Sequence, residues 1–169
     1  MTNSFKLQFL FSKYNTEKIL KGDKEIPKSV TCELVCTMML PIPFTQSMIN
    51  KYKDVKFRII PMENSNIIPS IAKIVVTGTS MCHNEDKFDF SVGKHLSESR
   101  AKIKAYDLAK RILTDLINEY TVDKQKKVKK MSDYSDNGIY FSPITIAKKN
   151  IAKLAKFTSD EIEHVNAIK

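Results

Sequence analysis

Cys32, Cys36, Cys82, His83 and His95 are the side chains of this chain best suited to hold a soft metal. Structural zinc takes four ligands, usually delivered as tight pairs. Cys32 and Cys36 lie within an alternating, strand-like run, and Cys82 and His83 are adjacent, a spacing that does not readily chelate. The expectation is no metal site, with Cys32 and Cys36 as thiols on one buried strand face. Three cysteines do not make a disulfide framework either.

Nucleophilic catalysis asks for a Ser or Cys held beside a base. Cys82-His83 has the right types, but neighbouring side chains diverge, and there is no G-x-S-x-G. Gly93-Lys94 lacks both the upstream glycine and the following Ser or Thr of a phosphate loop. His95-x-x-Glu98 reads as two surface residues one helical turn apart. Glu85, Asp86 and Asp89 precede a helical tract, where carboxylates complement the helix dipole. The chain therefore reads as non-enzymatic, with no cofactor.

What remains is cationic. Lys and Arg number 28 against 19 Asp and Glu, a formal net charge of +9. Such a field attracts nucleic acid, anionic membranes or acidic proteins. Arg100, Lys102, Lys104 and Arg111 decorate one helical tract, and Lys124, Lys126, Lys127, Lys129 and Lys130 follow it in KQKKVKK. These are the candidate phosphate-binding residues. Glu98, Asp107, Asp115 and Glu119 interrupt the same tract, so ion pairs within the helix compete for its cations.

The elements that must position these side chains follow from periodicity. Phe5, Leu7, Phe9 and Phe11 alternate with Lys6, Gln8 and Leu10, which predicts a strand over 5–11. TEKILKG predicts a short helical turn stopped at Gly22, followed by a loop. Val30, Cys32, Leu34, Cys36, Met38 and Leu40 share one face of a second strand, 29–40, ended by PIPF. Thr45 suits the cap of a short helix, QSMINKYK. Two more strands, 55–60 and 71–80, complete an irregular hairpin, with Ala72, Ile74 and Val76 as the buried set of the latter.

The period then changes. From a cap at Asp86 or Asp89 to about Asp123, Val92, Leu96, Ser99, Ile103, Tyr106, Ala109, Leu113, Leu116, Ile117 and Tyr120 recur at helical steps. Ser142 and Pro143 open a further amphipathic helix to residue 157, and Thr158 or Ser159 opens a last turn. Strands followed by helices predict an α+β fold: an antiparallel sheet of about four strands packed by one long amphipathic helix, with a C-terminal helical extension. The expected divisions are a core over 1–123, a basic run and linker over 124–141, and the extension over 142–169.

Gly78 near a strand end, then SESRAKIKAYDLAKRILTDLI with Ser97, Ala101, Lys102, Ala105, Ala109 and Leu113, resembles the C-terminal half of double-stranded-RNA-binding-like folds. The same segment is similar to small uncharacterised phage and prophage proteins with a β-β-β-α core. The first resemblance implies phosphate contacts from Arg100, Lys102 and Lys104.

The leading expectation is a small, phage-encoded nucleic-acid-binding protein. The alternative is an interaction or structural module, such as a virion component or an inhibitor of a host factor, acting through a protein partner or a homo-oligomer and docking through 142–157. No run approaches the roughly 20 apolar residues of a membrane span, and FKLQFLF is too short for a signal peptide. The expected location is cytoplasmic, or a virion.

Overall fold

The computed structural model describes residues 7–40, 44–59, 70–82, 87–127 and 143–168, with backbone only for 121–127 and 143. Alternation in the first forty residues is realised as one long hairpin. β1 (Leu7–Lys21) pairs antiparallel with β2 (Lys24–Leu40) across a two-residue turn, Gly22-Asp23. Val30, Cys32, Leu34, Cys36, Met38 and Leu40 are all buried, so the inner face of β2 is the one its period required.

The helical turn expected over 16–22 does not form. These residues continue β1, and 24–28 of the expected loop begin β2. Gly22 does not end a helix; at φ 65° it starts the hairpin turn, a conformation open to glycine at no steric cost. Ile19 opposite Ile26 and the Lys18–Glu25 ion pair (3.0 Å) tie the two arms together.

A second departure lies at Phe11. The β1–β2 register shifts between Phe9, opposite Cys36, and Phe11, opposite Val35. One extra residue in one strand inverts the facing of everything beyond it. Leu7 and Phe9 therefore face the core as expected, but Phe11 turns to the open face of the sheet and is 54% exposed. Tyr14, opposite Cys32, takes the inner side in its place. Phe5 lies outside the described residues.

β4 (Ser70–Met81) pairs with β2, and the short β3 (Lys56–Ile59) pairs with β4, giving a four-stranded antiparallel sheet of order β1-β2-β4-β3. Ala72 and Ile74 are fully buried and Val76 half-buried, as the alternation predicts. Before β3, the Thr45 hydroxyl accepts from the Met48 amide (3.2 Å) and caps α1 (Gln46–Lys51). Fully buried Met48 anchors this helix.

α2 (Phe90–Lys127) is 38 residues long, about 57 Å at helical rise. The Asp89 carboxylate caps it, accepting from the amides of Ser91 (2.8 Å) and Val92 (3.1 Å). Its buried surface is wider than the expected stripe. Ser99, Tyr106, Ala109, Leu113 and Leu116 are buried as read, but so are Ser97, Ala101, Ala105 and Ile112, whereas Val92 is exposed. The added residues are mostly small because α2 lies very close to the sheet there, beside Gly78. Such positions carry too little apolar weight to stand out in a periodicity reading.

α3 (Pro143–Ile168) is one continuous helix, with no break at Thr158 or Ser159. Thr158 is instead a helix-interior residue whose hydroxyl donates to the Leu154 carbonyl (2.9 Å). α3 runs along α2, and Ala147 and Leu154 join one core cluster with Met38, Ile74, Ile112 and Leu113. An aromatic series crosses this packing: the Phe9 ring lies 5.7 Å from Tyr106, and Tyr106 lies 5.6 Å from Phe157.

Candidate nucleic-acid interface

The cations singled out on α2 do not form one patch. Arg100 Nη1 donates to the Thr79 carbonyl (2.6 Å), and Lys104 Nζ donates to the Thr77 carbonyl (2.7 Å). The reason lies in the strand. The Cys82 amide donates to the Lys28 carbonyl (2.9 Å), and backbone groups alternate sides along a strand. Odd-numbered residues of β4 therefore turn their N–H and C=O away from β2. β3 meets that side only along Ser70–Lys73. Among the described residues no strand covers Val75–Met81, and Arg100 and Lys104 occupy two carbonyls of this open edge.

Lys102 points the other way. Its ammonium lies 3.1 Å from Glu98 and 3.7 Å from Glu161 of α3. Burial works against its charge, but the hydrogen bond to Glu98 and the charges of Glu161 and Glu98 hold its pKa above the ordinary lysine value. Glu98 also accepts from the Tyr14 hydroxyl (2.6 Å). Burial would raise the Glu98 pKa, yet the bonds from Tyr14 and Lys102 outweigh it and lower the pKa. Burial, with the Glu98 bond, pushes Tyr14 up to about 12. The Lys94 ammonium sits 4.8 Å above the Tyr14 ring. This network borders a groove of about 360 Å³ between α2 and α3, lined by His95, Tyr106, Asp160 and His164 among others. Its cation is already balanced by carboxylates, so it does not suit a phosphate.

Arg111 has a different setting. It is exposed and borders a shallow groove of about 610 Å³ that runs over α2 from Lys51 and Tyr52 to Ile151 of α3. Lys110 lies in the same groove, paired with Asp107 (2.7 Å). Asp115 takes Lys51 (2.7 Å) and the Tyr52 hydroxyl. Burial would raise the Asp115 pKa, but these two bonds and the charges of Lys51 and Arg111 lower it.

Lys124, Lys126 and Lys127 fall on the last turns of α2, in the part described by backbone only, while Lys129 and Lys130 lie outside the described residues. Two further cationic groups stand outside that set. Lys148, Lys149, Lys153 and Lys156 are exposed on α3 and have no acidic partner within ion-pair distance among the described residues. On the open sheet face, Lys56 stands directly opposite Lys73, with Arg58 nearby. The signal for the α3 group was present in the sequence as a polar helix face, but burial of the opposite face was needed to show that it points outward.

Among the described residues no group of three or more His, Cys, Asp or Glu is arranged to hold a metal, and no helix is long and apolar enough to cross a membrane. His83, Glu85 and Asp86 lie outside the described residues. No family model, no curated protein and no solved structure matches this chain.

Proposed function

We propose that the protein binds the phosphate backbone of nucleic acid through the outward face of the α2–α3 pair, without catalysing a reaction. The observation that carries this reading is the α3 row: Lys149, Lys153 and Lys156 repeat at helical steps, all exposed and none neutralised by a described acid. Lys148 stands one turn from Ile151, a boundary of the groove that holds Lys110 and Arg111. Lys149 and Lys156 are about 10 Å apart along the helix, a reach that lets the row contact more than one phosphate. The resemblance of residues 71–117 to double-stranded-RNA-binding-like folds points to the same ligand class. Here, however, Lys102 is balanced by Glu98 and Glu161, and Arg100 and Lys104 are directed to the β4 edge and not along the outward face of the α2–α3 pair. The load therefore passes to Arg111 and α3.

Fluorescence anisotropy with a labelled duplex and a labelled single strand, followed across a salt series, tests the reading. Binding at about 50 mM salt that weakens linearly on a log–log plot is expected, and a Lys149→Glu/Lys153→Glu/Lys156→Glu variant should lower the slope by about 2. Absence of binding at low salt, or a variant indistinguishable from the parent, overturns it.

A further inference from the structure

We infer that the open edge of β4, Val75–Met81, is a docking site for an extended acidic peptide segment of another protein, which adds to the sheet as a fifth strand. This inference stands apart from the nucleic-acid reading and uses a different surface. Val75, Thr77, Thr79 and Met81 turn their backbone groups outward, and no described strand pairs with them. Edge amides that no strand pairs, with carbonyls that are open or held only by side chains, template strand addition.

The edge also states what kind of strand it fits. Arg100 and Lys104 reach it from α2 and lie against Thr79 and Thr77. Four helical residues span about 6 Å, and two strand residues span about 6.7 Å. The two cations thus match carboxylates at positions i and i+2 of an added strand, on its α2-facing side. Its alternate residues fall on the open sheet face beside Val75 and Met81, which are 45% and 62% exposed, and there apolar or β-branched side chains fit. An incoming strand can take over the two cations with carboxylates, which bind Arg and Lys more strongly than neutral carbonyls do. A second copy of this chain is the poorer occupant. Pairing two β4 edges would bring two sets of Arg100 and Lys104 together, and like charges in one site repel.

The test uses the full chain and a synthetic ten-residue peptide alternating Glu and Val, beside a control with Gln in place of every Glu. Isothermal titration at low salt should show the Glu peptide binding and the Gln peptide weaker by about tenfold, the worth of two partly exposed ion pairs. Thr79→Pro removes one outward amide and the exposed hydroxyl contact with Thr31 (3.1 Å) while sparing the backbone bonds to β2, a placement that sheet edges tolerate. It should abolish peptide binding while far-UV circular dichroism and the melting temperature confirm the fold. Arg100→Gln/Lys104→Gln should erase the preference for Glu over Gln and provides an independent readout should Thr79→Pro fail to fold. Equal binding of the two peptides, no binding of the Glu peptide, or a folded Thr79→Pro that binds as the parent does would overturn the inference. So would a homodimer, or an oligonucleotide complex, that is lost in the folded Thr79→Pro chain.

Discussion

Gly78 of β4 and Ser97 of α2 meet so closely that a methyl group built on Gly78 would sit 2.1 Å from the Ser97 carbonyl oxygen and 2.4 Å from the Ala101 amide nitrogen. Both obstructing atoms are backbone, so no rotamer change relieves the clash. Gly78→Ala should cost about 3 kcal/mol of stability, the upper range for overpacking. Urea unfolding followed by circular dichroism reads this directly, and a midpoint equal to the parent's would mean that helix and sheet do not approach as described.

The bulge that separates Phe9 from Phe11 makes two similar residues respond differently. Phe9 packs on Tyr106, so Phe9→Ala should destabilise by about 2 to 3 kcal/mol. Phe11 faces outward beside its cross-strand partner Val35, and Phe11→Ser should cost at most about 1 kcal/mol. Equal losses at the two sites would place both rings on the same side of β1.

Acid should weaken the fold through Glu98 and Asp115. Both carboxyls are held below their ordinary values in the folded chain, so their contribution is fully present above the unfolded carboxylate range near pH 4 and fades as pH falls through the folded values. Tyr14 has the opposite sign. Its folded value is raised to about 12, so its contribution is complete below the unfolded tyrosine value near 10 and disappears as pH climbs through 12. Thermal melts across pH should therefore show an acid loss that Glu98→Gln changes and an alkaline loss that Tyr14→Phe removes in part. Identical profiles for parent and variants would rule out this network as the cause.

Thiol reactivity should follow burial. Cys32 and Cys36 are fully buried, and burial pushes the Cys36 thiol up to about 11, whereas Cys82 is partly exposed. Only thiolates are alkylated readily, so in the native protein at neutral pH Cys82 should react first. Mass spectrometry after a brief exposure to iodoacetamide would locate the label. Modification of Cys36 ahead of Cys82 would contradict the packing of β2.

The two sides of α3 should respond separately. Leu154 is almost fully buried, and Leu154→Ala should cost about 3 kcal/mol. Lys149→Glu, on the exposed side, should stay within about 0.5 kcal/mol. If Leu154→Ala proved silent in urea unfolding, α3 would not be docked on α2.

Much of the fold was legible because its signals are dense. The twelve-residue alternation of 29–40, the Thr45 cap, the Asp89 cap and the helical steps after it each follow one strong local rule, and each is present. The errors arose where a single residue redirected the chain. A one-residue bulge after Phe9 leaves no mark in residue type, and Gly22 suits a helix stop as well as a hairpin turn. The nine candidate cations could be found by charge, but their partners could not. Arg100 and Lys104 meet carbonyls some twenty residues or more away in sequence, and Lys102 meets Glu161 across two helices. Those pairings depend on the sheet edge and on the packing of α3, which no local spacing encodes.

That α3 covers α2 has a consequence for the order of events on the ribosome. The sheet and α2 emerge first, so the side of α2 on which Tyr106 meets Phe157 stays uncovered until the chain through Phe157 has been translated. A nascent chain halted before Pro143 should be a sticky, chaperone-dependent species. Docking of α3 would then replace that uncovered surface with the lysines α3 carries on its outward side.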